Sequence, residues 1–125
     1  MTKKKILIVD DEPGVTRMLK RNLEATYRYV VRTENSSADA LRAAGEFLPD
    51  LILLDVMMPG LDGGDVASQI KDDSRLSKIP VVFLSAIVTK DEAEPTGSDI
   101  GGRTFLAKPV KFDDLITCLE KHLVK

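Results

Sequence analysis

Three continuous apolar runs, Ile6-Leu7-Ile8-Val9, Leu51-Ile52-Leu53-Leu54 and Val81-Val82-Phe83-Leu84, constrain this chain more than any other feature. They do not alternate with polar residues, so strands built from them must be covered on both faces, as in a parallel sheet sandwiched between helices. Tyr29-Val30-Val31, with polar flanks, reads as a more exposed strand, and Thr104 to Ala107 as a short fifth. Gaps of roughly twenty residues separate consecutive strands, long enough for a crossover helix and too long for a hairpin.

The gaps carry helical periodicity. Val15, Met18, Leu19 and Leu23 fall on one face of a first helix, with Pro13 suited to its opening turn. Ser36 and Ser37 are candidate N-caps of a second, whose buried stripe reads as Ala38, Leu41, Ala44 and Leu48 before Pro49 stops it. Asp62 and Gly63 open a shorter third helix carrying Val66 and Ile70 and closing near Asp73-Ser74. Phe112, Leu115, Ile116, Leu119 and Leu123 mark a C-terminal helix, with Asp113 and Asp114 at its start and Lys121, His122 and Lys125 near its end, as the helix dipole favours. The gap from Ile87 to Arg103 differs, because Pro95, Gly97, Gly101 and Gly102 weaken any helix begun at Thr89 to Ala93. A short, broken or mobile helix is expected there.

Residues 1–125 fit one doubly wound α/β domain with a five-stranded parallel sheet. Eighteen basic and twenty acidic residues give a formal charge of -2, and Lys3-Lys4-Lys5, the densest basic cluster, reads as a solvated flank. Direct nucleic-acid binding is not expected. The single cysteine, Cys118, has no partner for an internal disulfide and reads as a buried helix residue in a protein of a reducing compartment. No apolar stretch approaches a membrane span or a signal peptide, so a cytoplasmic location without membrane insertion is expected.

The strand ends carry the chemistry. Asp10 and Asp11 follow the first run, Asp55 the second and Ser85 the third, while Lys108 follows Phe105-Leu106-Ala107. In an open parallel sheet the carboxyl ends of the strands share one edge, where ligands bind. Each residue alone has an ordinary explanation: a helix cap for Asp10 or Asp11, a strand end for Ser85, a solvated cation for Lys108. Their joint placement points elsewhere. Two or three carboxylates in one crevice repel unless a hard cation neutralises them, and an oxygen-only set suits Mg2+ or Mn2+. One carboxylate could then act as nucleophile toward a phosphoryl group whose oxygens are neutralised by the metal and the Lys108 ammonium, with Ser85 holding a phosphoryl oxygen. His122 reads as an exposed helix-end residue.

The segments ILIVDDE at 6–12, LILLDVMMPGLDG at 51–63, VVFLSA at 81–86 and FLAKP at 105–109 resemble, in order and spacing, the response-regulator receiver domains of bacterial two-component signalling. The resemblance spans essentially the whole chain. It implies a flavodoxin-like (βα)5 fold with strand order 2-1-3-4-5, consistent with right-handed crossovers. It also implies that Asp55 is phosphorylated by a sensor histidine kinase or a histidine phosphotransfer protein. By the same resemblance Asp11 and Asp55 ligate Mg2+ by carboxylate and Met57 by its carbonyl, with Asp10 acting mainly through water. Lys108 pairs with Asp55 or its phosphate, and Lys108-Pro109 is a cis peptide. Ser85 and Phe105 form a switch in which the hydroxyl turns to the phosphate and the ring moves inward. The expected result is control of a downstream protein target or output domain, with a phosphorylation-dependent dimer left open. Chemistry is confined to the protein itself, without enzymatic turnover.

Some positions depart from the family pattern. Ser85 stands where many relatives have threonine, Gly64 where a bulkier apolar residue is usual, and the stretch from Ile87 to Gly102 is about one residue longer than is typical and contains Pro95. Met57 and Ile87, two residues after Asp55 and Ser85, are expected to shield an acyl phosphate from water and slow its loss. The alternative function is a phosphorylation-independent interaction module of the same fold, against which the intact Asp10, Asp11, Asp55, Ser85 and Lys108 set argues. An aspartyl-phosphate phosphohydrolase would carry an acid two positions after its nucleophile, where this chain has Met57. An FMN carrier would meet phosphate repulsion at Asp10-Asp11-Glu12 unless a metal intervened.

Overall fold

The computed structural model describes residues 2–86, 98–100 and 103–123. Its elements run β1 (Lys4–Val9), α1 (Pro13–Glu24), β2 (Tyr29–Glu34), a 3-10 turn (Ser37–Asp39), α2 (Ala40–Phe47), β3 (Leu51–Asp55) and α3 (Gly63–Asp72). They continue through β4 (Val81–Ser85), β5 (Ser98–Ile100), β6 (Arg103–Ala107) and α4 (Phe112–Leu123). The sheet order is β2-β1-β3-β4-β6-β5, in which the first five strands listed are parallel neighbours, giving the expected 2-1-3-4-5 arrangement. One strand was not foreseen. Ser98–Ile100 lies in the fourth gap and pairs antiparallel with β6 at the edge of the sheet. The helix expected from Thr89 to Ala93 lies outside the described residues.

Two cores confirm that the sheet is covered on both sides. Ile6, Ile8, Leu51, Leu53, Val82, Leu84 and Leu106 face Leu19 and Leu23 of α1 and Leu115, Cys118 and Leu119 of α4. On the other face, Leu7, Val9, Ile52, Leu54 and Phe83 meet Ala40, Ala43 and Ala44 of α2 and Val66, Ala67 and Ile70 of α3. Strand residues of successive positions therefore serve different helical layers, which is why the runs had to be apolar throughout. At roughly 25 cal/mol per Å2, each fully buried Leu or Ile contributes about 1.5–3 kcal/mol to holding these layers together.

Several local expectations shift. Pro13 occupies the opening turn of α1, but Met18 is exposed and Thr16 takes a buried place beside Leu19 and Leu23. In α2 the buried stripe is Ala40, Ala43 and Ala44, whereas Ala38 and Leu48 are exposed. The 3-10 turn delays the α-helix to Ala40 and so changes the phase of its apolar face. Neither Ser36 nor Ser37 caps by its side chain; Ser37 Oγ instead donates to the Pro59 carbonyl at 3.1 Å, tying α2 to the loop after β3. Leu48 ends α2 in the left-handed region at φ 50° before Pro49.

At α3, Asp62 accepts from the Asp65 N–H and Asp65 accepts from the Asp62 N–H, a reciprocal cap that fixes the helix start. Phe112, expected in the stripe of α4, is exposed, while Leu115 and Leu119 are buried as expected. His122 is more engaged than a solvated helix end would be. Its Nδ1 lies 2.8 Å from the Cys118 carbonyl oxygen, and its Nε2 lies 3.4 Å from Thr104 Oγ1.

Candidate active site

Strand register brings the reactive groups to one edge. Val9 pairs with Leu54, Asp55 with Leu84, and Ser85 with Ala107. Asp10 and Asp55 thus stand level, Ser85 lies one step beyond, and Lys108 one step beyond that. Main-chain bonds hold these steps in place: the Val56 N–H donates to the Leu84 carbonyl, and the Lys108 N–H to the Ser85 carbonyl, both at 3.0 Å. The Lys108-Pro109 bond is cis, as the resemblance implied.

Asp10, Asp11 and Asp55 each offer a carboxylate oxygen within 4.8 Å of the others. Asp10 is fully buried and Asp55 nearly so, while Asp11 is half-buried. Asp10 does not cap α1, whose N-cap is Glu12; its Oδ1 accepts the Glu12 N–H at 3.0 Å. Its Oδ2 lies 2.7 Å from Lys108 Nζ, the shortest of the lysine's ion pairs. Lys108 Nζ also lies 3.3 Å from Glu12 Oε1 and 3.4 Å from Asp55 Oδ1. The ammonium is therefore shared among three carboxylates and sits closest to Asp10.

These surroundings set the charges. Burial, and then the Asp10 carboxylate, push the Asp55 pKa up to about 6, against the opposing pull of Lys108 and the Met57 N–H. Burial alone would lower the Lys108 pKa, but Asp10, Asp55 and Glu12 outweigh it and hold the ammonium above its ordinary value. A carboxylate that is costly to ionise beside a firmly cationic lysine gains from any further positive charge. The donor set fits a hard divalent cation: three carboxylates that converge within 4.8 Å, two of them buried.

The remaining predicted residues are placed as follows. Met57 adjoins Asp55 through its N–H, 3.4 Å from Asp55 Oδ1, and is 64% exposed. Of the two residues expected to shield the site, Ile87 lies outside the described residues. Ser85 is fully buried. Phe105 is partly buried and stacks on Phe83 with ring centroids 5.3 Å apart.

Sequence reasoning missed three contributors. Asn35 Nδ2 donates to the Asp10 carbonyl at 2.8 Å and to Thr16 Oγ1 at 3.0 Å, buttressing the loop that carries the acidic pair. Glu12 reaches Lys108 across 96 positions of sequence. Gly63 packs on the main chain of Asp55 and Val56, and its N–H donates to the Val56 carbonyl. Glu12 and Gly63 lay within the ILIVDDE and LILLDVMMPGLDG segments without these contacts being readable, and Asn35 carried no signal.

Among the described residues no helix is long and apolar enough to cross a membrane. Residues 6–120 match the sequence profile of the family described as response regulator receiver domain. The chain is 42% identical to the response regulator PleD of Caulobacter vibrioides over 112 residues, covering 90% of this chain and 24% of that protein. It is 36% identical to protein PilH of Pseudomonas aeruginosa over 121 residues, covering 95% of this chain and 97% of PilH. It thus spans about a quarter of PleD and 42% of the regulator PhoP of Bacillus subtilis. A putative response regulator of Chloroflexus aurantiacus superposes with a TM-score of 0.83 at 27% identity, covering 99% of this chain and 100% of that one. The chemotaxis response regulator CheY4 of Vibrio cholerae does so with a TM-score of 0.82 at 25% identity, covering 98% and 100%. The profile match over most of the chain, the relatives and the shared fold agree: this chain belongs to the response regulator receiver domain family.

Proposed function

We propose that the chain is a phosphoacceptor in a phosphorelay, taking a phosphoryl group onto Asp55 from a sensor histidine kinase or a histidine phosphotransfer protein. The observation that carries this reading is the convergence of Asp10, Asp11 and Asp55 with Lys108 at one sheet edge. In the transfer an Asp55 carboxylate oxygen forms the new P–O bond, and the P–N bond to the donor imidazole breaks with its electron pair leaving on nitrogen.

Asp11 and Asp55, with Asp10 through water and the Met57 carbonyl, would hold Mg2+ or Mn2+. When bound, the cation supplies neutralising charge to the phosphoryl oxygens. Lys108, 3.4 Å from Asp55 Oδ1, supplies a second positive charge, and the Ser85 hydroxyl turns to a phosphoryl oxygen. Phe105 then moves inward past Phe83, changing the surface beside β6 that a downstream partner or output domain reads. The protein turns over no external substrate.

The test is phosphorylation of the pure protein by a small phosphoryl donor with Mg2+, read by intact mass, with Asp55→Asn as control. Mass gain in the parent and none in the variant or after chelation supports the reading. Equal labelling of Asp55→Asn, or no labelling of the parent by either a small donor or a phosphorylated kinase domain, sinks it.

A further inference from the structure

We infer that Glu12 is a positioning residue for Lys108, a tether that keeps the ammonium over the pocket when Asp10 turns to a cation. The inference rests on the metal-binding part of the proposed function. Glu12 occupies the N-cap of α1 in an extended conformation, where its main-chain carbonyl accepts from the Val15 and Thr16 N–H groups and a capping side chain would ordinarily accept from a first-turn N–H. Its carboxylate makes no such bond. It reaches instead to Lys108 Nζ at 3.3 Å, although Glu12 is 64% exposed and free to turn to solvent.

The need for a third partner follows from the other two. Lys108 Nζ is held by Asp10 at 2.7 Å and Asp55 at 3.4 Å, and both belong to the acidic cluster whose oxygens converge within 4.8 Å. An ammonium and a divalent cation therefore claim the same carboxylates and repel each other at close range. Glu12 stands outside that cluster. A Lys108 that keeps Glu12 can yield Asp10 without leaving the site, and remains in reach of a group on Asp55. Without Glu12, Lys108 keeps only Asp10 and Asp55 as partners and competes with the cation for them.

Two readings of Glu12 differ in what they predict. As one more negative charge near the pocket, it would act by its field, and Glu12→Asp would preserve the effect. As a tether it depends on reach, and the shorter Glu12→Asp side chain retracts from Lys108 while keeping its charge. Isothermal calorimetry of Mg2+ binding to the unphosphorylated protein separates them. Both Glu12→Asp and Glu12→Gln are expected to weaken binding by about tenfold, the coupling typical of contacting charged groups. In a Lys108→Ala background, Glu12→Asp is expected to change nothing further. Glu12→Asp binding as tightly as the parent, or a loss of the same size with Lys108 removed, overturns the tether and leaves the metal site standing. A parent that binds no Mg2+ overturns both.

Discussion

Gly63 lies so close to the main chain of Asp55 that a Cβ added to it would stand 2.6 Å from the Asp55 carbonyl oxygen and 2.9 Å from the Val56 Cα. Both obstacles are backbone, so neither can yield as a flexible side chain would. Gly63→Ala is expected to destabilise the fold by about 2 kcal/mol or more and to displace the end of β3 that presents Asp55. Gly14→Ala, in the first turn of α1 with nothing within 4 Å of its added Cβ, is expected to be neutral or stabilising. Urea denaturation of the two variants beside the parent checks the contrast; equal stabilities would remove the close-approach argument.

Why the reactive edge was legible in the sequence, and its supports were not, follows from the distances involved. Asp10, Asp55 and Ser85 stand directly after apolar runs, and in a parallel sheet the end of a run is the end of a strand, so local pattern and tertiary position coincide. Glu12 was legible as one of three acids after the first strand, but not as a partner of Lys108, which is brought near only by the register of β1, β3, β4 and β6. Asn35 is a polar residue after a strand until the turn of β1 into α1 places the Asp10 carbonyl beside it. Ser98–Ile100 was invisible for another reason: three residues pairing at an edge carry no periodicity to read.

Ionising Asp55 costs stability. Its folded-state pKa of about 6 lies above the ordinary 3.8, so the folded state holds the proton more tightly than the unfolded chain. The stabilisation from this proton is fully present below about pH 3.8 and is lost as pH rises through about 6. Asp55→Asn removes the ionisation and is expected to be more stable than the parent at pH 7.5 without metal, by up to about 3 kcal/mol. The gain should shrink toward zero near pH 4. Thermal melts at the two pH values, in chelator, decide it; a gain that does not depend on pH rules out ionisation as its cause.

Lys108 is the only described cation within ion-pairing distance of the buried Asp10. Removing it leaves buried negative charge without compensation, the case in which a broken buried pair costs about 3–5 kcal/mol. Lys108→Ala is expected to lower the melting temperature strongly in chelator. Millimolar Mg2+ should stabilise this variant more than the parent, since the ion takes over a neutralising role without competition from the ammonium. A melting-temperature gain with Mg2+ no larger than the parent's would contradict shared use of the Asp10 carboxylate.

The Phe105 ring offers a way to watch the switch. It stacks on Phe83 at 5.3 Å, one strand from the fully buried Ser85, and Phe83 and Phe105 are paired neighbours in β4 and β6. The chain contains no tryptophan, so Phe105→Trp would report from one place only. If a phosphoryl group on Asp55 draws the Ser85 hydroxyl and the ring moves inward, emission from Phe105→Trp should shift to shorter wavelength on adding a phosphoryl donor with Mg2+. The same donor should leave emission unchanged when Asp55→Asn is added, because no phosphoryl group forms. Adding Ser85→Ala instead should permit labelling by mass yet diminish the shift, since the hydroxyl that couples phosphate to ring is gone. A full shift in the Ser85→Ala protein would place the coupling elsewhere, and an unshifted, fully labelled Phe105→Trp protein would show that the ring does not move.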